Sequence, residues 1–359
     1  MPGVAPGEAV SICGNRLARI AASTLFIVLW ASAAHAQTDQ AAGGGDPCSV
    51  VDVRSSERPN PDGLPIEISV GVRLGDLRSI DDIEQTLTVD LLVVQSWTDP
   101  RLAPWEGCTV PLDSIWSPRL AFVNSGRLIE SLPEVAYVET GGDVTFYQRY
   151  YGALASYEDL RDFPFDSHVF EVSLLSYRWS ADELELTVNR EVTGRRDLLD
   201  ISDWTIGEVT ASVQQQVFEA FDTQFWRYDL KIPATRIWSY YVWKVILPIT
   251  LIVAMSWCVF WIDPSHFGTQ IGLSATSMLT LIAFIFATTN IIPRLGYFTT
   301  LDRFIMGSTV LVFLALVQSV GTTYLVSKGK ERPAAIVDRT SRLMFPAAFA
   351  VFAYVVLGH

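Results

Sequence analysis

Four apolar segments follow one another from Tyr240 onward, at about 242–262, 268–290, 301–326 and 342–357. A helix needs roughly 20 residues to cross a hydrocarbon core, so each segment reads as a membrane span, the last one short. Lipid offers the backbone no hydrogen-bond partner, so spans of this composition must be helices that satisfy their own amide groups. The second half of the chain, residues 239–359, is therefore read as a four-helix transmembrane bundle.

The preceding half is physically different. Between about 50 and 235, runs such as "TLTVDLLVVQSW", "FEVSLLSY", "ELELTV" and "FWRYDLKI" alternate apolar and polar residues and are separated by Pro, Gly and Asp clusters. That pattern predicts strands, and their regular spacing without helical periodicity predicts an antiparallel, immunoglobulin-like β-sandwich over 50–238. Charge divides the chain at the same place. Residues 37–241 hold 34 acids against 16 bases, whereas 242–359 hold 4 against 8. An acidic surface repels phosphate, so a nucleic-acid partner is not expected.

The N-terminus carries Arg16 and Arg19, an apolar run around 20–30 and the small-residue end Ala34-His35-Ala36. It reads as a signal peptide over 1–36, followed by a polar, glycine-rich leader over 37–49. Cys48 and Cys108 then face an oxidising compartment, where a disulfide is possible but not fixed by sequence. Cys258, in an apolar span, is expected to be a small buried residue. The connection 327–341, "SKGKERPAAIVDRTS", holds four bases against two acids and reads as a short cytoplasmic loop. The chain is thus expected in the cell (inner) membrane as a multi-pass protein, its sandwich exported to the periplasmic or extracellular side and its bundle in contact with the lipid bilayer.

One span carries an unusual number of hydroxyls, "GLSATSMLTLIAFIFATTN". Steps of three and four residues through Thr269, Gly272, Thr276, Leu279, Ala283, Phe286 and Asn290 draw one stripe along a helix. Small or polar residues occupy its first, cytoplasmic half, bulky apolar ones its outer half, and Asn290 the outer end. Such a stripe suits a helix lining water, although Ser and Thr also bond to their own backbone or hold helices together. One helix cannot enclose a pore, so a pore reading requires several subunits.

Several motifs accumulate across the chain. "YEDLRDFPFDSHVF" centres on Phe163-Pro164-Phe165-Asp166, where a cis bond before Pro164 is possible. "WTDPRL" brings Trp97, Asp99 and Arg101, and "IWSPRL" brings Trp116, Pro118 and Arg119; the tryptophans read as packing residues. "TRIWSYYVWKVILP" contributes Arg236, Tyr240, Tyr241 and Pro248, and "TTNIIPRLGYFTTLDRF" contributes Pro293, Arg294 and Tyr297. With these motifs the chain resembles the pentameric ligand-gated ion channels, the Cys-loop receptor superfamily, and most closely its bacterial branch. Ser156 and Phe170 stand where animal members carry the loop cysteines, and Arg119 stands where an Asp is usual.

The resemblance implies a homopentamer with small-molecule agonist sites between adjacent sandwiches and second spans lining a path for inorganic ions. Coupling between the two halves would run through Phe163, Pro164, Phe165, Asp166 and Arg236 to Pro293 and Arg294, with Asp166 and Arg236 as a charge-assisted pair. Agonist residues carry over as Val123, Tyr177 and the Phe218–Phe225 loop, with Leu92 on the complementary face and Arg149 on a neighbouring strand. Tyr177, Trp179, Phe218 and Phe221 offer aromatic faces to an amine, with Glu219 or Asp222 for charge. Arg149 instead suits a carboxylate. Amine, acid and proton all stay open as the stimulus.

The pore mouth reads Phe267-Gly268-Thr269-Gln270, with Asp263 the nearest acid and no Ala-Arg of the anion-selective kind. The acidic sandwich favours cations, and an anion channel or a non-conducting anchored receptor is the alternative. No enzyme is expected. The histidines beyond the signal are His168, His266 and His359, with no nucleophile triad or metal-ligand spacing, so neither metal nor cofactor is implied.

Overall fold

The computed structural model describes residues 48, 55–60, 63–197, 199, 201–218, 222–263, 265–288 and 295–358. The signal peptide, the leader apart from Cys48, and Phe221, Asn290, Pro293 and Arg294 lie outside them. All described residues belong to one unit, Asp46–His359.

Alternation sets the sheet. Along Thr86–Thr98 every second residue from Leu87 to Trp97 is buried, so this strand lays one apolar face on the core. In chain order the strands are β1 (Ile66–Asp81), β2 (Thr86–Thr98), β3 (Thr109–Pro111), β4 (Leu120–Phe122), β5 (Ser125–Glu130), β6 (Val135–Val138) and β7 (Asp143–Ala155). Then come β8 (Ser167–Ser176), β9 (Leu184–Val188), β10 (Gly194–Arg195), β11 (Trp204–Ile206), β12 (Thr210–Phe218) and β13 (Thr223–Arg236). One sheet runs β10-β1-β2-β7-β6-β3, with β5 on β7 and β9 on β1; the other runs β11-β13-β8-β4, with β12 on β13. Trp97 and Trp116 are buried edge to face between them, and Asp99 is held by the Arg101 guanidinium at 2.9 and 2.8 Å. Cys48 and Cys108 are joined as a disulfide.

Among the described residues, four helices are long and apolar enough to cross a membrane: α1 (Ser239–Trp261), α2 (Phe267–Thr288), α3 (Thr300–Ser327) and α4 (Glu331–Leu357). Within α1 a wide π turn over Val242–Ile246 precedes Pro248, whose missing N–H cannot close an ordinary helical turn. Two expectations are corrected here. The stretch 327–341 is not a loop, because α4 starts at Glu331 and only Lys328, Gly329 and Lys330 separate it from α3. Its composition looks polar, but Ala334, Asp338, Ser341, Phe345 and Phe349 bury one helical stripe while Glu331, Arg332 and Arg339 stay exposed. Gly329, at φ 73°, makes the reversal. Cys258, expected inside, is exposed on α1. In a bundle meant for lipid, an apolar residue can face outward without cost.

Candidate functional site at the junction and along the second helix

The turn before β8 leaves the sandwich core and enters the bundle. Leu160 and Phe163 are buried together with Val245, Ile249, Leu301 and Phe304 of the helices, and the Phe163–Pro164 peptide is cis. The first N–H groups of any helix have no partner within it. In α3 the turn supplies them: Thr300 N–H donates to Arg161 O at 2.8 Å and Leu301 N–H to Phe163 O at 3.1 Å. Thr299 caps the next amide, that of Asp302, in a reciprocal capping box. The Arg303 guanidinium also reaches Arg161 O, and Tyr297 Oη accepts from Leu160 N–H at 2.9 Å. The start of α3 is therefore completed by backbone carbonyls of the sandwich.

Behind this turn sits a buried ion network. Arg236 Nε donates to Asp166 Oδ1 at 2.7 Å and Nη2 to Asp166 Oδ2 at 3.0 Å. Its Nη1 and Nη2 also hold both oxygens of Asp82, at 2.7 and 2.9 Å, so the expected pair is in fact a triad. The guanidinium lies 4.1 Å from the centre of the Trp204 ring and 4.7 Å from that of Phe163. Burial pushes the Asp166 carboxyl up, but His168 and Arg236 outweigh it and hold it at about 2. Burial likewise pulls Arg236 down, and its two carboxylates more than compensate, keeping it above its ordinary value.

Sequence reasoning did not single out Asp82, Glu158, His168, Arg161 or Trp204. One signal was available. Asp166 and His168 are two apart at the start of a strand, which puts both on one face. The contribution of Asp82 depends on the β1–β2 turn meeting β13, a pairing that local pattern does not specify.

On α2 the stripe Thr269, Gly272, Thr276, Leu279, Ala283 and Phe286 is exposed throughout, Leu279 at 68% and Phe286 at 75%. The opposite face, with Gln270, Ser274, Ser277, Leu281 and Thr288, is buried against the other helices. Several hydroxyls are turned back onto the backbone: Thr276 Oγ1 donates to Gly272 O, Thr280 Oγ1 to Thr276 O and Ser277 Oγ to Leu273 O. Those groups are thus satisfied without a neighbouring helix.

The residues read as agonist contacts separate into three sets. Tyr177, Phe218 and Phe225 form an edge-to-face row at 6.1 and 5.7 Å near the β12–β13 turn, with Tyr177 half exposed. Leu92 and Arg149 are cross-strand partners on the other sheet. Arg149 is no open clamp, since Nε and Nη2 both bind Asp90, the Nε bond being 2.8 Å. Its guanidinium holds the Asp90 carboxyl below the usual range against burial. Trp179 belongs to the core edge: its ring packs on Trp116 and its indole N–H donates to Ser117 O. Its ring is therefore partly engaged with the core, and the side chain is half-buried.

Two family models match this chain. One, described as the neurotransmitter-gated ion-channel ligand binding domain, matches residues 51–232, and one described as the neurotransmitter-gated ion-channel transmembrane region matches 245–335. Among similar proteins, a proton-gated ion channel of Gloeobacter violaceus is 26% identical over 291 residues, covering 79% of this chain and 80% of that protein. A gamma-aminobutyric acid receptor subunit beta-4 of Gallus gallus is 24% identical over 284 residues, covering 75% of this chain and 57% of the subunit. A gamma-aminobutyric acid receptor subunit beta of Lymnaea stagnalis is 23% identical, covering 79% and 61%. The chain spans about three fifths of the length of those two receptor subunits.

Proposed function

The chain belongs to the neurotransmitter-gated ion-channel family, and from that premise we propose that it is one subunit of a homopentameric, cation-selective channel. The family is one of membrane channels rather than enzymes. The observation that carries the proposal is the exposed face of α2, a helical stripe that no other described part of the subunit covers. Five copies of that face around an axis would enclose a path, with Leu279 and Phe286 as its apolar constrictions. The excess of acids in the exported half supports cation preference by concentrating cations at the entrance.

Opening would begin in the sandwich, by a small molecule at the Tyr177–Phe218 row or by protons. It would pass through the turn 160–166, whose carbonyls cap α3. The test is current recording from protein reconstituted in bilayers under a potassium chloride gradient, with pH steps and panels of amines and carboxylates. A stimulus-dependent current reversing near the potassium potential is expected. Reversal at the chloride potential would overturn cation selectivity, and absence of current under every stimulus would overturn conduction.

A further inference from the structure

His168 lies in the buried ion network behind the turn 160–166, and both of its ring nitrogens face carboxylates. Nε2 is 2.6 Å from Asp166 Oδ2, and Nδ1 is 3.5 Å from Glu158 Oε2. The side chain is 8% exposed. A neutral imidazole has one N–H, so one nitrogen would aim a lone pair at a carboxylate oxygen with little water to intervene. Only the imidazolium satisfies both sides.

Charge counting points the same way. Asp166, Glu158 and Asp82 bring three negative charges to this cluster, and Arg236 returns one positive charge. Two aromatic rings, those of Phe170 and Trp204, pack against the imidazole at 6.1 and 5.9 Å and add no charge. A proton on His168 brings the cluster closer to neutrality. Glu158 is the partly exposed member and borders a crevice with Asp82, Gln85 and Ser156, which gives the proton a way in from solvent.

We infer that His168 is a proton-binding site whose occupancy sets how firmly the turn 160–166 is held against β13, and so how the sandwich is coupled to α3. The inference rests on the channel reading and names a stimulus for it. With the proton bound, Asp166 is shared between His168 and Arg236. When it leaves, the one remaining N–H can serve Asp166 or Glu158 but not both, and the hold of His168 on the turn carrying the Arg161 and Phe163 carbonyls weakens.

Two measurements on reconstituted full-length protein test it, with His168→Gln as the variant. Glutamine keeps a donor and an acceptor but takes up no proton. Melting temperature as a function of pH reads proton binding whether or not the protein conducts. The wild type should gain stability over H168Q as the solution is acidified, and parallel curves would overturn the site. External pH steps read coupling. The wild-type current should change severalfold between pH 8 and 5, and H168Q should lose most of that response while keeping the single-channel conductance. An equal pH response in both proteins would overturn the coupling role. A stability difference with no current under any stimulus would instead refute the conduction reading and leave the proton site standing.

Discussion

Replacing Asp166 by Asn tests the junction with little change of shape. Asn resembles the protonated acid, so the variant exposes what the ionised carboxylate contributes. Asp166 is held at about 2 against an ordinary 3.8, and each pH unit corresponds to about 1.4 kcal/mol. The ionised form therefore contributes roughly 2–3 kcal/mol at neutral pH. Solvent screens this interaction little, because both Asp166 and Arg236 side chains are only 2% exposed. The sign is that of a depressed carboxylate: the contribution is complete above about pH 4 and is lost as pH falls toward 2. Thermal melting of the solubilised protein, followed by near-ultraviolet circular dichroism, should show D166N lower by roughly 5–10 °C at pH 7. The gap should narrow below pH 4, because the wild type then becomes protonated too. Equal melting temperatures at pH 7, or a gap that does not narrow in acid, would refute the assignment of this triad as a stabilising link.

Further outcomes follow from the α2 face and the aromatic row. Leu279→Ser should produce spontaneous current or much higher agonist sensitivity, since a ring of five loses roughly 1 kcal/mol of apolar packing per subunit; unchanged resting current in bilayer recordings would remove Leu279 from the constriction. Leu281→Ser should act differently, because Leu281 is fully buried against the other helices: a loss of about 2–5 kcal/mol in stability and less assembled protein, seen by size-exclusion chromatography, rather than leak. Tyr177→Ala should shift the dose response of a small-molecule agonist and leave single-channel conductance unchanged. Neutralising the exposed Asp263 should move the reversal potential toward zero, and an unmoved reversal potential would place selectivity elsewhere.

The broad architecture was legible because periodicity alone separates the two halves. Leu87 through Trp97 alternate as a strand must, and 268–288 is too apolar and too long for anything but a span. The exposed stripe on α2 was legible for the same reason, since helical spacing is a local property. What was not legible depends on contacts between distant segments. Arg149 looked available until β2 brought Asp90 beside it, and Trp179 looked available until Trp116 packed against it. Asp82 and His168 join the Asp166 pair only because the β1–β2 turn and the start of β8 converge on the end of β13. The charges of 327–341 hid a helix because all but the buried Asp338 lie before it or on its exposed side.

If the junction gates and the α2 face conducts, single-channel recording of Phe163→Leu separates the two roles most directly. Phe163 is fully buried against the helices and under the Arg236 guanidinium, yet lies far in sequence from α2. The variant should change opening frequency or agonist sensitivity while unitary conductance and reversal potential match the wild type. Altered conductance with normal opening, or no change in either, would contradict the account.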